Sequence, residues 1–313
     1  MNTPDLRPLG VGEILDRAVT LFVQRFAPLV LILAIVQAPL ALLQFVVQPN
    51  TADVFGNIQK LLSLPPGHSA EQRVILEHLS SGGASSPATV GLLFAIIIFS
   101  VFATTACMLG AARAYTGAMP PVRELFRESL RRWLPQIATM LIFIGVFIGL
   151  FIALFVVTLV LTFSISALYA VSTIAALVIG IPLSLVAFAA LMALSLLLYL
   201  ALQLAFVSIA IEEPNPARAV ARGFGRAFAR PLLLRSLLVG FILTLVVGVG
   251  SIVITALAGV LAVTTHLTPL YTIVSVIGGV LLNALIVTFV VVYSYDVRVR
   301  REGYDLHAAL ATP

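Results

Sequence analysis

Four arginines, Arg218, Arg222, Arg226 and Arg230, stand at strict i, i+4 spacing. On an α-helix that spacing makes one stripe, drifting by about 40° per step. Val220, Phe224 and Phe228 recur every four residues on the other side. A guanidinium is a permanent cation whose planar fork of donors fits a phosphate or carboxylate bidentately. The chemistry open to the stripe is therefore anion binding. Such a helix lies at a bilayer surface, its apolar side in the acyl boundary and its arginines among anionic headgroups, each worth about 1 kcal/mol. The same residues also act as a topology determinant with generic headgroup contact. Nucleic acid is not an expected partner, because no base-reading platform accompanies the charge.

Other chemistry finds little material. Asp53, His68, Glu71, Glu77 and His78 fall together in the segment 48–87, but in no HxxxH or HExxH spacing, so a solvated loop is expected there. Ser69 and Gln72 form a capping-box pattern for a short helix through Leu79. There is no CxxC and no G-x-S-x-G, and Gly223 with Gly225 lack the preceding strand that a nucleotide loop requires. No catalytic residue, metal site or cofactor is expected, and the chain reads as a non-enzyme. Its sole cysteine, Cys107, lies in an apolar run and reads as a small buried hydrophobe.

The elements that must position these residues are membrane helices. Of the chain, 61% is apolar and 10% charged, against roughly 45–50% and about 25% in soluble domains. Uncharged runs of 27, 35, 79 and 60 residues separate Arg25 from Asp53, Glu77 from Arg113, Arg132 from Glu212 and Arg235 from Asp296. At about 20 residues per crossing, these accommodate spans over 27–47, 88–112, 135–162, 184–211, 232–262 and 270–293. The fold class is all-α, a polytopic transmembrane bundle and a single integral membrane domain over 1–313. Six spans leave 16 of the 18 basic residues on one side, with only Lys60 and Arg73 on the other. By the positive-inside rule both termini are cytoplasmic, in the cytoplasmic (plasma) membrane. A seventh span would put the arginines at 218–235 opposite those at 113–132. The leftover stretch Ile165–Ile181 then reads as re-entrant, interfacial or part of overlong spans.

The segments 1–26, 113–134 and 212–231 each read as a cytoplasmic amphipathic helix ahead of a two-span hairpin, leaving 294–313 as a cytoplasmic tail. Asn215 is the expected N-cap of the third, with Pro216 at its first position. Prolines 28, 135 and 231 mark where these helices are expected to end. The spans hold no Asp, Glu, Lys or His, whereas ion-coupled transporters usually place ionisable groups there. Arg235, one turn past Pro231, is expected to snorkel to the interface. Gln37, Gln203 and Asn283 are the strongest intramembrane polar groups and are expected to hydrogen-bond between helices. In a transporter or lipid-translocating permease, the alternative function, they would line a cavity with Thr288. Gly145 with Gly149, and Ser275 with Gly279, favour close packing within the chain, in a homo-oligomer or against a membrane protein partner.

Two terminal segments carry a resemblance. Leu6-Arg7-Pro8-Leu9-Gly10-Val11-Gly12-Glu13-Ile14-Leu15-Asp16-Arg17-Ala18 resembles the opening, and Tyr295-Asp296-Val297-Arg298-Val299-Arg300-Arg301-Glu302-Gly303-Tyr304-Asp305-Leu306 the close, of the glycerophosphoryl diester phosphodiesterase membrane domain. Ile211-Glu212-Glu213-Pro214 is similar to its middle motif, departing from it where a glycine-containing turn is usual. The resemblance implies a bacterial polytopic membrane protein of a family in which some members are fused to a phosphodiesterase domain. Only seven residues follow Leu306, so that catalytic domain is expected to be absent. As juxtamembrane fasteners, Glu13 and Asp16 would pair with arginines of the other surface helices. Arg7 belongs to the same opening motif, and Asp296 and Glu302 would pair with Arg298, Arg300 or Arg301. The expected function is a non-enzymatic, lipid-associated scaffold or membrane module whose partners are anionic phospholipids.

Overall fold

A computed structural model describes residues 7–47, 73–74, 87–117, 119–212, 215–265 and 268–303. Among these residues the chain forms α1 (Val11–Gln24), α2 (Phe26–Val47), α3 (Pro87–Thr116), α4 (Val122–Val171), α5 (Thr173–Ile211), α6 (Pro216–Ala227), a 3-10 turn (Arg230–Leu232), α7 (Leu233–Thr265) and α8 (Thr268–Glu302). No described residue is in a strand. Six stretches are long and apolar enough to cross a bilayer: Phe26–Leu43, Phe94–Thr116, Val122–Ala167, Leu177–Ile211, Arg230–Thr265 and Leu270–Glu302. The chain is a multi-pass integral membrane protein built on an all-α bundle. Apart from Arg73, the charged and histidine residues of 48–87, with the capping-box helix expected there, lie outside the described residues, as does 304–313.

The long uncharged run folds as one hairpin. α4 has 50 residues and α5 has 39, with Ser172 between them. Since helix rises 1.5 Å per residue, α4 extends about 75 Å, more than twice a bilayer core of about 30 Å. Ile165–Ile181 is therefore the tip of two overlong helices and not a separate re-entrant element. A Cβ at Gly180 would meet Ile165 Cγ1 at 3.1 Å, so the bare glycine lets the arms approach. Between Leu141 and Phe163 only Phe143 is buried, the pattern of a helix whose apolar surface faces lipid.

Pro135 does not end the second amphipathic segment, because α4 runs through it unbroken. Proline removes one N–H and kinks a helix, yet packed membrane helices tolerate this. Pro28 sits in the first turn of α2, where an N–H would lack an intrahelical partner anyway. Pro231 lies in the 3-10 turn. Gly303, at φ +60°, terminates α8 in the left-handed conformation that glycine takes at no steric cost.

The described residues form two compact units. One consists of Arg17–Ser129 and Leu245–Phe289. Here α2 packs on α3, burying Leu29, Ile32 and Leu33 together with Ala103, Ala106, Cys107 and Met108. Phe102 stacks on Phe126 at 5.6 Å, Arg113 meets Glu128 at 3.3 Å, and Arg17 donates to the Tyr115 hydroxyl. Small residues also bring α7 and α8 together: a Cβ at Gly278 would lie 2.6 Å from Ile254 Cγ2.

The other unit holds Leu130–Thr244 with the described parts of Asn2–Asp16 and Val290–Pro313. Its core is the C-terminal part of α5 from Leu196 to Ala210, the buried side of α6, the opening turns of α7, and Val290–Val299 of α8.

Candidate functional site

The arginines of interest gather in this second unit, and α6 decides which way they point. Asn215 is its N-cap: the side-chain oxygen accepts from Ala217 N at 3.0 Å and Arg218 N at 3.4 Å, with Pro216 next. Ala219, Gly223 and Ala227 recur every four residues, and all three are buried. A Cβ at Gly223 would sit 2.5 Å from the Ala201 carbonyl oxygen and 2.9 Å from Ala205 Cβ. α6 thus lies backbone-close along α5, as small residues allow. Phe224 is stacked between Phe143 at 5.5 Å and Phe228 at 5.7 Å. The aromatic side of the helix therefore packs partly against protein, where the periodicity pointed to the acyl boundary.

That rotation splits the arginine stripe. Arg218, Arg222 and Arg230 are exposed, as a headgroup-facing row requires, but Arg226 is only 2% exposed. Its Nη1 and Nη2 donate to Glu212 Oε1 and Oε2 at 3.0 and 2.9 Å, a bidentate fork. Its Nε and Nη2 reach Glu302 Oε1 at 3.1 and 2.7 Å. The expected headgroup contact by Arg226 is thus corrected: carboxylates from the end of α5 and the end of α8 occupy its donors. Burial alone would lower its pKa, but the hydrogen bonds and charge of Glu212, then of Glu302, outweigh burial and raise it.

Further cations surround the same two carboxylates. Arg222 Nη1 lies 3.4 Å from Glu212 Oε2. Arg298 Nε lies 3.3 Å from Glu212 Oε1 and 3.6 Å from Glu302 Oε2, charge contacts that lack hydrogen-bond geometry at that nitrogen. Arg298 also lies over the Tyr295 ring, 5.5 Å from its centre. Arg301 Nη1 donates to the Gly225 carbonyl. On α4, Arg132 donates to the carbonyls of Ile209 and Ala210 at 3.1 and 2.6 Å, placing a cation on the negative end of α5.

A second cluster joins the two terminal motifs. The Leu9 N–H donates to Asp296 Oδ1 at 2.7 Å, and the Leu9 carbonyl accepts from both Arg235 and Arg300. Arg235 Nη2 lies 2.8 Å from Asp296 Oδ2, and Arg300 Nε 3.2 Å from Asp296 Oδ1. The Asp296 side chain is fully buried. Arg235 turns inward to this carboxylate, because a buried anion holds a long cation more strongly than snorkelling does. Beside it the hydroxyls of Ser236 and Tyr293 share a hydrogen bond of 3.1 Å.

The remaining expected residues stay apart from these clusters. Glu13 takes Arg7 at 2.9 Å and the Gly10 N–H at 2.7 Å, which is local capping of α1. Asp16 is exposed on α1. Gln203 is half-buried on α5, one turn after Tyr199. Gln37 and Asn283 are half-buried and belong to the other unit, where Thr288 bonds back to the Ala284 carbonyl. Gln136 was missed by sequence reasoning: it is fully buried, and neither amide atom has a hydrogen-bond partner among the described residues. Its place one turn after Arg132 was the signal available.

No protein-family model, curated protein or solved structure matches this sequence.

Proposed function

We propose that the chain is a non-enzymatic, lipid-associated module of the cytoplasmic membrane, with both termini cytoplasmic and its arginine-rich end engaging anionic phospholipid headgroups. One observation carries this reading: α6 presents Arg218 and Arg222, and the 3-10 turn after it Arg230, at the surface, while the small-residue side of α6 is seated on α5. A basic row held at the end of a membrane bundle attracts anionic lipid at about 1 kcal/mol per residue near the surface. The motifs that resemble the glycerophosphoryl diester phosphodiesterase membrane domain meet at Leu9 and Asp296, and membership of that family is part of the proposal, without the enzymatic activity in its name.

The test is lipid retention. The protein is purified in mild detergent from a membrane of mixed lipids, and bound lipids are identified by native mass spectrometry, then compared with an Arg218→Gln, Arg222→Gln, Arg230→Gln variant. Selective retention of an anionic lipid that the variant loses is the expected result. Equal, unselective retention by both would reduce the row to a topology signal.

A further inference from the structure

One side of the continuous helix α4 is left bare by the described residues. Its buried residues Leu125, Ser129, Gln136, Thr139 and Phe143 recur at helical spacing, and Arg127 stands opposite them, since each residue turns the helix by about 100°. Arg123 and Arg131 lie one turn before and after Arg127. All three arginines are exposed, and none has a hydrogen bond or ion pair among the described residues. Of the two carboxylates on these turns, Glu128 meets Arg113 at 3.3 Å, and Glu124 is exposed with no ion pair among the described residues.

Further along the same side, Leu134 and Leu141 are 63% and 60% exposed. Gly145 and Gly149 are exposed too, with nothing within 4 Å of where a Cβ would stand. All four lie within about 40° of Arg127 around the axis. The bare glycines form a notch that no described residue fills. At 1.5 Å per residue Gly145 is about 16 Å past Leu134, close to the middle of a hydrocarbon core of about 30 Å.

We infer that this side of α4 seats one anionic phospholipid, its phosphate held by Arg127 and Arg131 and one acyl chain running over Leu134 and Leu141 into the notch at Gly145 and Gly149. Charge decides the headgroup: two guanidinium forks one turn apart match phosphate oxygens and favour a lipid of net negative charge over a zwitterion. The span beyond them decides the rest. Its exposed side meets acyl chains, and a chain lying in a notch gains contacts with the helix backbone that a flat surface denies it. The seat uses none of the α6 arginines and goes beyond the reading proposed for them.

The experiment reads Trp133, the sole tryptophan, which precedes Leu134. The full chain is placed in phosphatidylcholine bilayers holding a small fraction of brominated phosphatidylglycerol, or the same fraction of brominated phosphatidylcholine. Quenching of Trp133 fluorescence then gives the preference for the anionic lipid at this helix, expected to be at least about tenfold. Arg127→Gln with Arg131→Gln should abolish it. Gly145→Leu with Gly149→Leu keeps every charge and fills the notch, and should weaken the preference at least about threefold. Gly145→Ala with Gly149→Ala, which favours the helix, should fall between, and unfolding midpoints keep any folding defect apart.

No preference in wild type, or one that the arginine pair leaves intact, overturns the seat. A preference lost in the arginine pair but untouched by the leucine pair also overturns it, reducing the contact to loose headgroup attraction. A wild-type dimer in native mass spectra that the leucine pair abolishes, with the preference unaltered, gives the notch to a second copy of the chain and overturns it as well. The Arg218→Gln, Arg222→Gln, Arg230→Gln variant separates the two lipid readings. If it retains anionic lipid as wild type does while the α4 arginine pair loses the preference, the α6 reading falls and the seat stands. If it loses that lipid while no preference appears at Trp133, the seat falls and the α6 reading stands.

Discussion

The backbone N–H of Leu9 and the Oδ1 of Asp296 are 2.7 Å apart although 287 positions separate them in sequence. The Leu9 carbonyl is held as well, by Arg235 and Arg300, which also face the Asp296 carboxylate. One backbone unit and three charged side chains thus satisfy one another in a site where the carboxylate has no access to solvent. An isolated buried charge would cost several kcal/mol, so each member depends on the others.

Replacing Asp296 with alanine leaves Arg235 without its buried counter-charge and the Leu9 N–H without an acceptor. The expected loss is about 3–5 kcal/mol of stability, read as a lower midpoint of unfolding in detergent. Asp296→Asn keeps an acceptor for Leu9 but not the charge, and should fall between wild type and alanine. An unchanged midpoint for the alanine variant would remove the clamp from the fold's stabilising contacts.

Arg226 and Arg222 are neighbours in one stripe but should differ sharply on mutation. Arg226→Gln removes the buried fork that joins Glu212 to Glu302 and leaves Arg222 and Arg298 facing them, at a cost of about 1.5–3 kcal/mol. Arg222→Gln touches a partly exposed pair and should cost about 0–1 kcal/mol. Because the pKa of Arg226 is raised, its contribution is fully present below the ordinary arginine range. No alkaline step from this group should appear between neutral pH and about pH 11. Equal destabilisation by the two substitutions would contradict the split.

Gly223→Val places branched atoms where a Cβ alone already meets the Ala201 carbonyl at 2.5 Å. The backbones must separate, costing about 1–3 kcal/mol or more. Gly225→Ala meets only the flexible Arg301 end, at 3.2 Å, and should be tolerated, helped by alanine's helix propensity of about 1 kcal/mol over glycine. Comparing the two unfolding midpoints tests whether α6 is seated on α5 through its small residues.

Cys107 is fully buried in α3, so a maleimide should fail to label the native protein and label it stoichiometrically after denaturation. Reactivity needs an accessible thiolate. Rapid native labelling would show that the packing of α2 on α3 opens.

Local physics explains which features were legible. Asn215 followed by Pro216 specifies a helix start through its own side chain, and α6 begins there. The 79-residue uncharged run required at least two crossings, but its chemistry did not distinguish a re-entrant tip from overlong arms. Ser172 as the joint and Gly180 against Ile165 settle that. Pro135 illustrates the opposite error: a strong local breaker lies inside α4 because one lost hydrogen bond is small against the packing of the whole helix.

Composition and charge spacing alone determined six crossings, an all-α bundle and a concentration of arginine at its ends, because hydrocarbon solvation acts on every residue independently of its distant neighbours. Tertiary structure decided what each arginine does. Periodicity gives Arg218, Arg222, Arg226 and Arg230 one face, and it ranks the aromatic side of α6 as the side to bury. The close seat of Gly223 on Ala201 and Ala205 turns the helix instead, so that Arg226 meets Glu212 and Glu302 while Arg222 remains at the surface. Arg235 and Leu9 find Asp296 for the same reason: a buried charge is satisfied by whichever donors the fold brings within about 3 Å, and sequence spacing does not encode that distance.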